Sequence, residues 1–525
     1  MLRRAIPIVA IVLFLAALSV RVLGPSDLGQ NVDQARTMSH TVDMVVNGRW
    51  FLPVDLSGKT TRKPPLVNWV AAPLVASGVW AEWAHKAPSL LGAIAAFAVA
   101  WAGAARLLPR VAGDLRPDAG ELARSAPIAV GALAGAVWIA SPTAIKHAYF
   151  CRPDMIFGGL LALGWYSAVR VADEPRARTR ALWSLATWFV TGLALLAKGP
   201  WALLIPTYAA LVMLIRPADH RPPWHAWIWG PAFAGALFAA WLVPAYLADP
   251  DFVANRLVGG EVLSRLGFDV PPPGPDEIDP YDTRVKTDDG GGGLGAYLSG
   301  MPQTLGWFVE RFVPWSVPAL AAFIFVRPWR WRAHPLAPAG IWVCLVIGIT
   351  MLMPTRGASY LVPVYPVAAI LAVYALLRVR SPLPPIGVAI FAAIVLTAVA
   401  GREAIFSRAA RVGTGDKLWR FAAEARDLVG DDEVVFVETW LDPTPLMMGR
   451  HRTTEPTPDQ IAEAPWVVAR LLEGVPDGWP DPVLRSDEVD RVVAGSSKSK
   501  DGGYVVALFR GPIVGKQPEN WPSPP

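Results

Sequence analysis

Residues 181–215 read ALWSLATWFVTGLALLAKGPWALLIPTYAALVMLI, and this stretch decides the fold. The charged side chain within it is Lys198, which begins the tripeptide Lys198-Gly199-Pro200 near the midpoint. Crossing the hydrocarbon core of a bilayer, about 30 Å, takes about 20 apolar residues in a helix. Each half of the stretch is close to that length, and Lys-Gly-Pro is typical of a turn. The sequence therefore predicts two membrane-spanning helices, 181–197 and 199–215, joined at Lys198.

The composition of the whole chain agrees with a membrane protein. Of its 525 residues 53% are hydrophobic and 17% charged, and the mean hydropathy is +0.36. A soluble globular domain carries about 25% charged residues. The 24 Trp and 51 Pro come without a glycine triplet or heptad repeat, which excludes collagen-like and coiled-coil filaments. Two cysteines, Cys151 and Cys344, cannot form a disulfide framework, and redox chemistry is not expected.

Eleven apolar runs are long enough to be spans. The first follows Arg3 and Arg4 and is interpreted as an uncleaved first helix, because ten further runs come after it. The predicted spans are 5–23, 87–108, 126–145, 153–170, 181–197, 199–215, 226–247, 305–326, 337–353, 359–377 and 383–401.

Arginine groups predict the orientation of these spans. The groups alternate with all eleven runs, so the positive-inside rule places them in the cytoplasm. Because they are small and separated by apolar runs, the net charge of +5 does not indicate nucleic-acid binding. If the stretch 66–84 crossed the membrane, every later loop would lie on the opposite side from the one that its arginines predict. The stretch is therefore predicted to be an amphipathic helix in the outer interface. The groups are Arg3 and Arg4; Arg106, Arg110, Arg116 and Arg124; Arg170, Arg176, Arg178 and Arg180; Arg216 and Arg221; Arg327, Arg330 and Arg332; Arg378 and Arg380.

The predicted fold class is an all-α polytopic membrane bundle with a small C-terminal α/β domain. The bundle covers residues 1–401 and has two long outer loops, 24–86 and 248–304, the second with a flexible insertion rich in Pro, Gly and acidic residues. Residues 402–525 form the α/β domain. Its predicted elements are a helix at 417–428 and strands at 434–437, 466–469 and 504–509. No catalytic or nucleotide-binding motif occurs in that domain, so no chemistry is assigned to it.

Ionisable residues at the outer rim of an apolar bundle are functional candidates, because charge is costly near hydrocarbon. Two carboxylates facing several cations at the membrane surface would suit a phosphorylated lipid. Each residue also has a simpler interpretation: Asp33 and Asp154 could begin helices, Lys198 could be a plain turn, and the others could anchor at lipid headgroups. The candidates are Asp33, Arg62, Lys63, Arg152, Asp154, Lys198, Arg356 and Tyr360.

These residues also occur in a familiar order. The segments are Asp33-Gln34-Ala35-Arg36, Arg62-Lys63-Pro64-Pro65-Leu66 with Trp69, Arg152-Pro153-Asp154, Lys198-Gly199-Pro200, and Arg356 through Tyr360 to Tyr365-Pro366. Over residues 1 to about 400 the chain resembles the GT-C type membrane glycosyltransferases, in particular the lipid A aminoarabinose transferase and its protein O-mannosyltransferase relatives. The C-terminal part resembles the α/β domain of the lipid A branch.

The resemblance implies transfer of a sugar from a polyprenyl-phosphate carrier to a lipid, glycan or protein acceptor outside the membrane, usually with inversion. By motif, Asp33 would be the base, and Asp154 a second carboxylate near the acceptor or the developing positive charge. Lys63 would hold the carrier phosphate, assisted by Arg356 and Lys198.

This chain departs from the family pattern at two positions. Gln34 stands where the family usually has Glu after the Asp, and Arg62 stands where the lipid A branch has Glu before Lys-Pro-Pro. Where that Glu helps to bind a metal, this chain should not, so no cofactor and no metal site are expected. The added charge beside Lys63 suits a phosphate, and it argues against lipid A itself as the acceptor.

The resulting prediction is a multi-pass glycosyltransferase of the bacterial inner membrane, with its site and C-terminal domain on the periplasmic or extracytoplasmic side. One alternative is a transporter or flippase of polyprenyl-linked or other anionic lipids, but no paired broken spans are visible in the sequence. Another is a non-catalytic envelope-assembly protein.

Overall fold

A computed structural model describes the chain in a series of segments. They are residues 2–23, 32–56, 58–78, 81–215, 226–263, 301–326, 334–353, 357–378, 387–388, 390–398, 414–437, 444–451, 456–471, 474–476, 478–487, 489–490, 503–511 and 513. The flexible insertion predicted around residues 271–293 and the candidate Arg356 lie outside the described residues.

Helices make up the bundle. In chain order they are α1 (Leu2–Val22), α2 (Val32–Asn47), α3 (Leu66–Ala76), α4 (Glu82–Leu107), α5 (Pro117–Ser125), α6 (Pro127–Ile139), α7 (Pro142–Ala148), α8 (Pro153–Asp173), α9 (Ala177–Lys198), α10 (Leu204–Ile215), α11 (Ala226–Ala248), α12 (Met301–Arg311), α13 (Ser316–Val326), α14 (Ala337–Leu352) and α15 (Tyr365–Arg378). Residues 390–398 are also helical. Shorter 3-10 turns lie at Leu108–Asp114, Gly199–Leu203 and Ala358–Val364, and Phe252–Leu263 is π-helical.

The described chain contains six helical stretches that are long and apolar enough to cross a membrane, or up to eight if two bent helix pairs count as single spans. Each predicted apolar run is mainly helical over its described residues, so the polytopic helical bundle is confirmed, although six to eight spans are fewer than the eleven predicted. Helix α3 has 11 residues and is about 16 Å long, too short to cross the bilayer. This length fits the exclusion of 66–84 from the spans.

Two predicted spans are not single straight helices. The run 126–145 breaks between α6 and α7, and α6 is bent by 107° from α5. The run 305–326 divides into α12 and α13, which meet at 113°. Pro142 and Pro314 stand at these breaks, and proline removes a backbone donor and blocks the preceding turn of helix.

The chain reverses direction at Lys198-Gly199-Pro200, as predicted. Ser184 of α9 and Met213 of α10 line the same small cavity. In one straight helix these two residues would be about 43 Å apart. Gly199 has a φ of 69°, a backbone conformation that favours glycine and ends α9 abruptly.

The predicted arginine loops meet at one end of the bundle. Asp173 pairs with Arg110 (Nη1–Oδ2, 2.6 Å) and with Arg106 (Nε–Oδ2, 3.5 Å). Asp114 lies 3.8 Å from Arg378. We call this the arginine end. The arginine end contains residues from three of the loops that the positive-inside rule places on one side of the membrane.

Close packing of α4 on α8 sets the position of the start of α8. A Cβ added at Gly92 would lie 2.3 Å from the carbonyl oxygen of Met155, and one at Gly159 would lie 2.4 Å from the carbonyl oxygen of Gly92. Glycine at both positions therefore allows the two backbones to touch.

The C-terminal domain is a small sheet covered by helices. It comprises α16 (Thr414–Val429), β1 (Val434–Val437), α17 (Thr444–Met447), α18 (Pro458–Glu463), β2 (Trp466–Leu471), β3 (Leu484–Arg485), β4 (Val489–Asp490) and β5 (Gly503–Arg510). The strand order is β1-β2-β5-β3, with β1 parallel to β2 and the other pairings antiparallel, and β4 also pairs with β5. The predicted helix and three strands are confirmed, and β3 and β4 are additional.

Candidate functional site

Charged side chains from separate parts of the sequence meet at the end of the bundle opposite the arginine end. Asp33 lies in the first turn of α2, and Arg152 immediately precedes α8. Asp154 lies in the first turn of α8, and Lys198 is the last residue of α9. We call these four residues and Lys63 the charge cluster.

Asp154 is the buried centre of the charge cluster. Its Oδ1 lies 2.6 Å from Lys198 Nζ, and its Oδ2 lies 3.2 Å from Arg152 Nε. The side chain is 2% exposed. A buried carboxylate is stable only when it is paired, and here each oxygen faces its own cation.

Arg152 joins the two carboxylates. Its Nη2 lies 3.2 Å from Asp33 Oδ2, while its Nε faces Asp154. Burial lowers the pKa of Arg152, but the two carboxylates outweigh burial and raise it, so the guanidinium stays charged. The Asp33 side chain is 40% exposed and is therefore the accessible carboxylate of the pair.

Lys63 lies among these charges without an ion pair to a described residue. Its N–H donates to Thr61 Oγ1 (3.3 Å), and Pro64-Pro65 follow, so the backbone is restrained. The residue is exposed by surface area, yet protein surrounds it closely enough that desolvation lowers the pKa of its ammonium. Arg152 and Lys198 also lower this pKa, while Asp33 and Asp154 raise it.

Polar contacts to the backbone hold the start of α8 against α2 and α4. Gln34 Oε1 accepts a hydrogen bond from the N–H of Cys151 (2.8 Å). The Ser89 hydroxyl donates to the carbonyl oxygens of Phe150 (2.5 Å) and Arg152 (3.2 Å). The backbone of residues 150–152 is thus fixed by α2 and α4.

A separate contact ties α2 to α3. Asn68 Nδ2 donates to the carbonyl oxygen of Thr37 (2.8 Å) and to Thr41 Oγ1 (2.9 Å). Asn68 is five residues after Lys63, so this bond also fixes the segment that carries the lysine.

Aromatic rings cover the other side of Lys198. Its Nζ lies 4.5 Å from the ring centroid of Tyr360 and 5.7 Å from that of Phe157. Trp201 stacks on Tyr360 with centroids 4.9 Å apart and planes tilted by 27°. Cation–π contact adds to the ion pair that holds Lys198 in place.

The nearby histidines are neutral near pH 7. Burial lowers the pKa of His147 to about 3 and that of His40 to about 4, although Asp154 and Asp55 respectively raise them. The positive charge of the cluster therefore comes from lysine and arginine.

The structure brings together most of the residues predicted from the sequence. Asp33, Lys63, Arg152, Asp154 and Lys198 interact directly or electrostatically, and Tyr360 contacts Lys198. Arg62 precedes Lys63 but forms no ion pair with a described residue, and the structure gives no information on Arg356.

Sequence reasoning missed the residues that hold the cluster in place. Gln34, Ser89 and Asn68 act through backbone contacts, and no sequence pattern reveals such partners. Trp201 was also missed, because its partner is the ring of Tyr360, which lies far away in the sequence. No group of three or more His, Cys, Asp or Glu that could hold a metal ion occurs among the described residues.

Comparison with known proteins identifies the fold. The chain is similar to ArnT from Cupriavidus metallidurans bound to undecaprenyl phosphate, with a TM-score of 0.65 and 16% sequence identity, covering 98% of this chain and 99% of that one. The apo state of the same protein gives a TM-score of 0.62 at 16% identity, with 97% and 99% covered. The Archaeoglobus fulgidus oligosaccharyltransferase matches with a TM-score of 0.45 and 12% identity over 88% of this chain and 69% of that one, too weak to support an argument. No family model and no curated protein matches the sequence.

At 16% identity the likeness to ArnT shows the fold alone. The predicted GT-C fold, with its C-terminal α/β domain, is therefore confirmed over nearly the whole chain.

Proposed function

We propose that this protein is an integral membrane glycosyltransferase. It transfers a sugar from a polyprenyl-phosphate carrier to a lipid, glycan or protein acceptor on the outer side of the membrane. The observation that carries the proposal is that an accessible carboxylate, Asp33, and an exposed lysine, Lys63, lie beside one buried ionic network in a GT-C bundle.

The charge balance of the cluster favours an anionic ligand. Asp33 and Asp154 supply two negative charges, while Lys63, Arg152 and Lys198 supply three positive charges. Since Asp154 is already matched by two cations, Lys63 is the cation most available for a phosphate. Lysine binds phosphate as a point charge, and a partly desolvated site strengthens the attraction.

The chemistry requires a base and a phosphate site. An acceptor hydroxyl attacks the anomeric carbon of the donor sugar and gives its proton to the Asp33 carboxylate. The bond from that carbon to the phosphate oxygen breaks, and the electron pair leaves with the lipid phosphate, which Lys63 stabilises. Attack from the face opposite the leaving phosphate gives inversion. Polyprenyl phosphate is already a good leaving group, so no strong general acid is needed.

The two carboxylates have different roles in this proposal. Asp154 is 2% exposed and both its oxygens face cations, so an acceptor hydroxyl has no path to it. We assign Asp154 to holding Lys198 and Arg152 in place rather than to direct contact with the acceptor. Arg152 in turn orients Asp33.

Confinement of the donor to the membrane contributes to the rate of transfer. A polyprenyl carrier is confined to the bilayer, and the charge cluster lies at an end of the bundle, where a lipid headgroup would lie. Confinement of donor and enzyme to one surface reduces the entropy cost of their encounter. The arginine loops favour the opposite end for the cytoplasm, and this orientation gives the site an extracytoplasmic position in a bacterial inner membrane.

The first experiment identifies the substrates. Mass spectrometry of envelope lipids and glycoproteins, with and without the gene, should reveal one product that lacks one sugar in the deletion strain. That product gives the sugar and the acceptor together.

The second experiment tests the residues with purified full-length protein and the identified polyprenyl-linked sugar. Asp33→Asn should abolish transfer, and Lys63→Ala should weaken use of the donor. Lys59→Ala, in the same loop, is the matched control and should behave like the wild type. Movement of the lipid-linked sugar across vesicles without transfer would replace the proposal with a flippase, and full activity of Asp33→Asn would remove Asp33 from the mechanism.

A further inference from the structure

The C-terminal domain packs directly on α2, the helix that carries Asp33. Met38 and Val42 of α2 belong to one buried apolar cluster with Leu418 and Phe421 of α16. Cys151, next to Arg152, belongs to the same cluster and is 1% exposed. The domain therefore contributes to the packing around the charge cluster, although no chemistry is assigned to it.

A buried polar contact reinforces this packing. The side chains of His451, which follows α17, and Asp43, near the end of α2, are both fully buried. His451 Nε2 lies 3.2 Å from the carbonyl oxygen of Val54. Because a carbonyl can only accept, Nε2 must carry a proton and donate it. Burial lowers the pKa of His451, so the ring is neutral, and its Nδ1 packs 3.5 Å from Asp43 Oδ1 without a hydrogen bond. His451 thus links the C-terminal domain to the loop that leads to Lys63 and, through the Val54 N–H that donates to Asp43, to α2.

Asp43 is a fixed point on the α2 side of this contact. Its Oδ1 accepts from Asn47 Nδ2 (2.7 Å), and its Oδ2 accepts from the N–H of Val54 (2.8 Å). Arg49 Nη1 lies 3.8 Å from the same carboxylate. Loss of His451 would leave the buried carbonyl oxygen of Val54 without its donor, which is costly.

Helix geometry transmits the contact to the reacting end. Asp43 is ten residues after Asp33, so the two lie about 15 Å apart on one rigid helix. A helix held at Asp43 through Val54 and His451, and at Thr37 by Asn68, has little freedom to tilt. The position of Asp33 relative to Lys63 then depends on the C-terminal domain.

We infer that His451 is a positioning residue, through which the C-terminal domain holds α2 so that Asp33 faces the donor beside Lys63. The effect on sugar transfer rests on the proposed function, whereas the clamp itself does not. Two measurements on the full-length protein separate these two statements.

The first measurement needs no substrate. In a Cys344→Ser background, which removes the exposed thiol, N-ethylmaleimide reports access to the buried Cys151. His451→Ala should speed the labelling of Cys151 by roughly tenfold or more, since local opening becomes easier when a buried contact is lost. Arg450→Ala is the matched control: Arg450 is the neighbouring residue and bonds within the domain, to the carbonyl of Gly430 (2.9 Å), so labelling should not change.

The second measurement is turnover with the donor and acceptor identified as above. His451→Ala should lower kcat by roughly 10- to 100-fold, because small misplacement of a reacting group costs about that much. The KM for the donor should change by less than about threefold, since Lys63 lies outside α2 and its backbone is restrained by Thr61 and by Pro64-Pro65. Loss of folded protein alone would also lower turnover without changing KM, so kcat is calculated per folded protein, counted from the thermal unfolding signal of each variant.

A double-mutant cycle keeps the test decisive if His451→Ala is poorly folded. Asp43→Ala removes the same link from the α2 side, because the Val54 N–H then loses its acceptor. If the two residues act together, the double variant should resemble either single variant in labelling rate and in kcat. Multiplied effects would show independent roles and overturn the inference.

The remaining outcomes are equally clear. Unchanged labelling of Cys151 in His451→Ala would reject the clamp. Faster labelling with wild-type kcat would reject the positioning role. If the wild type transfers no sugar, the proposed function fails, and the labelling result still decides whether the clamp exists.

Discussion

The two carboxylates of the charge cluster should respond oppositely to the same chemical change. Asp33→Asn and Asp154→Asn each replace a carboxylate by an isosteric amide. Asp33 is 40% exposed and pairs with Arg152, whereas Asp154 is 2% exposed and balances both Arg152 and Lys198. We expect Asp33→Asn to remove activity with little loss of stability, and Asp154→Asn to reduce stability first.

The magnitudes follow from burial. Breaking a buried ion pair by removal of one partner costs about 3–5 kcal/mol, because the other charge stays buried. At about 2 °C per kcal/mol for a large chain, the unfolding midpoint of Asp154→Asn should fall by about 6–10 °C. The half-exposed Asp33 pair is worth at most about 1 kcal/mol, a shift of about 2 °C. Loss of a general base should lower kcat by roughly 10²- to 10⁴-fold in Asp33→Asn.

The assay is thermal unfolding in detergent, followed by transfer activity of the protein that remains folded. Asp154→Asn combined with Lys198→Met removes one of the stranded cations and should recover part of the lost midpoint. Equal midpoints for the two single variants would refute the assignment of a buried and an accessible carboxylate. An undiminished midpoint in Asp154→Asn would show that the ionic network does not hold the site together.

Three further predictions concern Lys63, Gly92 and His40. Lys63→Ala should raise the donor KM by roughly 10- to 100-fold. Burial lowers the pKa of Lys63, and the lysine loses its charge as the pH rises through its pKa. Lys63→Arg should therefore move the alkaline loss of donor binding to higher pH. Gly92→Ala should lower the unfolding midpoint, since its Cβ would lie 2.3 Å from the Met155 carbonyl oxygen, whereas Gly235→Ala, with nothing within 4 Å, should not. The pKa of His40, lowered by burial from 6.5 to about 4, means that the folded state binds fewer protons than the unfolded state in this range. The unfolding midpoint of the wild type should thus fall as the pH drops from about 6.5 to about 4, and the midpoint of His40→Gln should fall less over the same range. An equal fall in both proteins would contradict the burial of His40.

Much of the charge cluster could be predicted because its members lie at helix ends. Asp154 and Lys198 each interrupt an apolar pattern at a point where hydropathy predicts the edge of the membrane, and Asp33 lies in the outer loop ten residues after the first predicted span. Ionisable residues there are expensive and therefore conspicuous. Their division into buried and accessible members was not visible, because burial depends on which helices pack around each residue.

The bent helices show a different limit. Apolar runs 126–145 and 305–326 have the composition of spans, and hydropathy averages over the breaks at Pro142 and Pro314. Proline marked these positions, but proline also occurs within α1 and α11, where the helix continues. Only packing decides whether a proline bends a helix or ends it.

The sequence by itself determined that the chain is a polytopic helical bundle, which ends of the helices share a side, and that a small α/β domain follows. These properties depend on local hydropathy, charge and turn chemistry, which neighbouring residues specify. Tertiary structure decided that Asp154 is enclosed while Asp33 is open, and that His451 contacts α2 some four hundred residues away in sequence. Such contacts arise from packing between distant segments, and a local pattern carries no information about them.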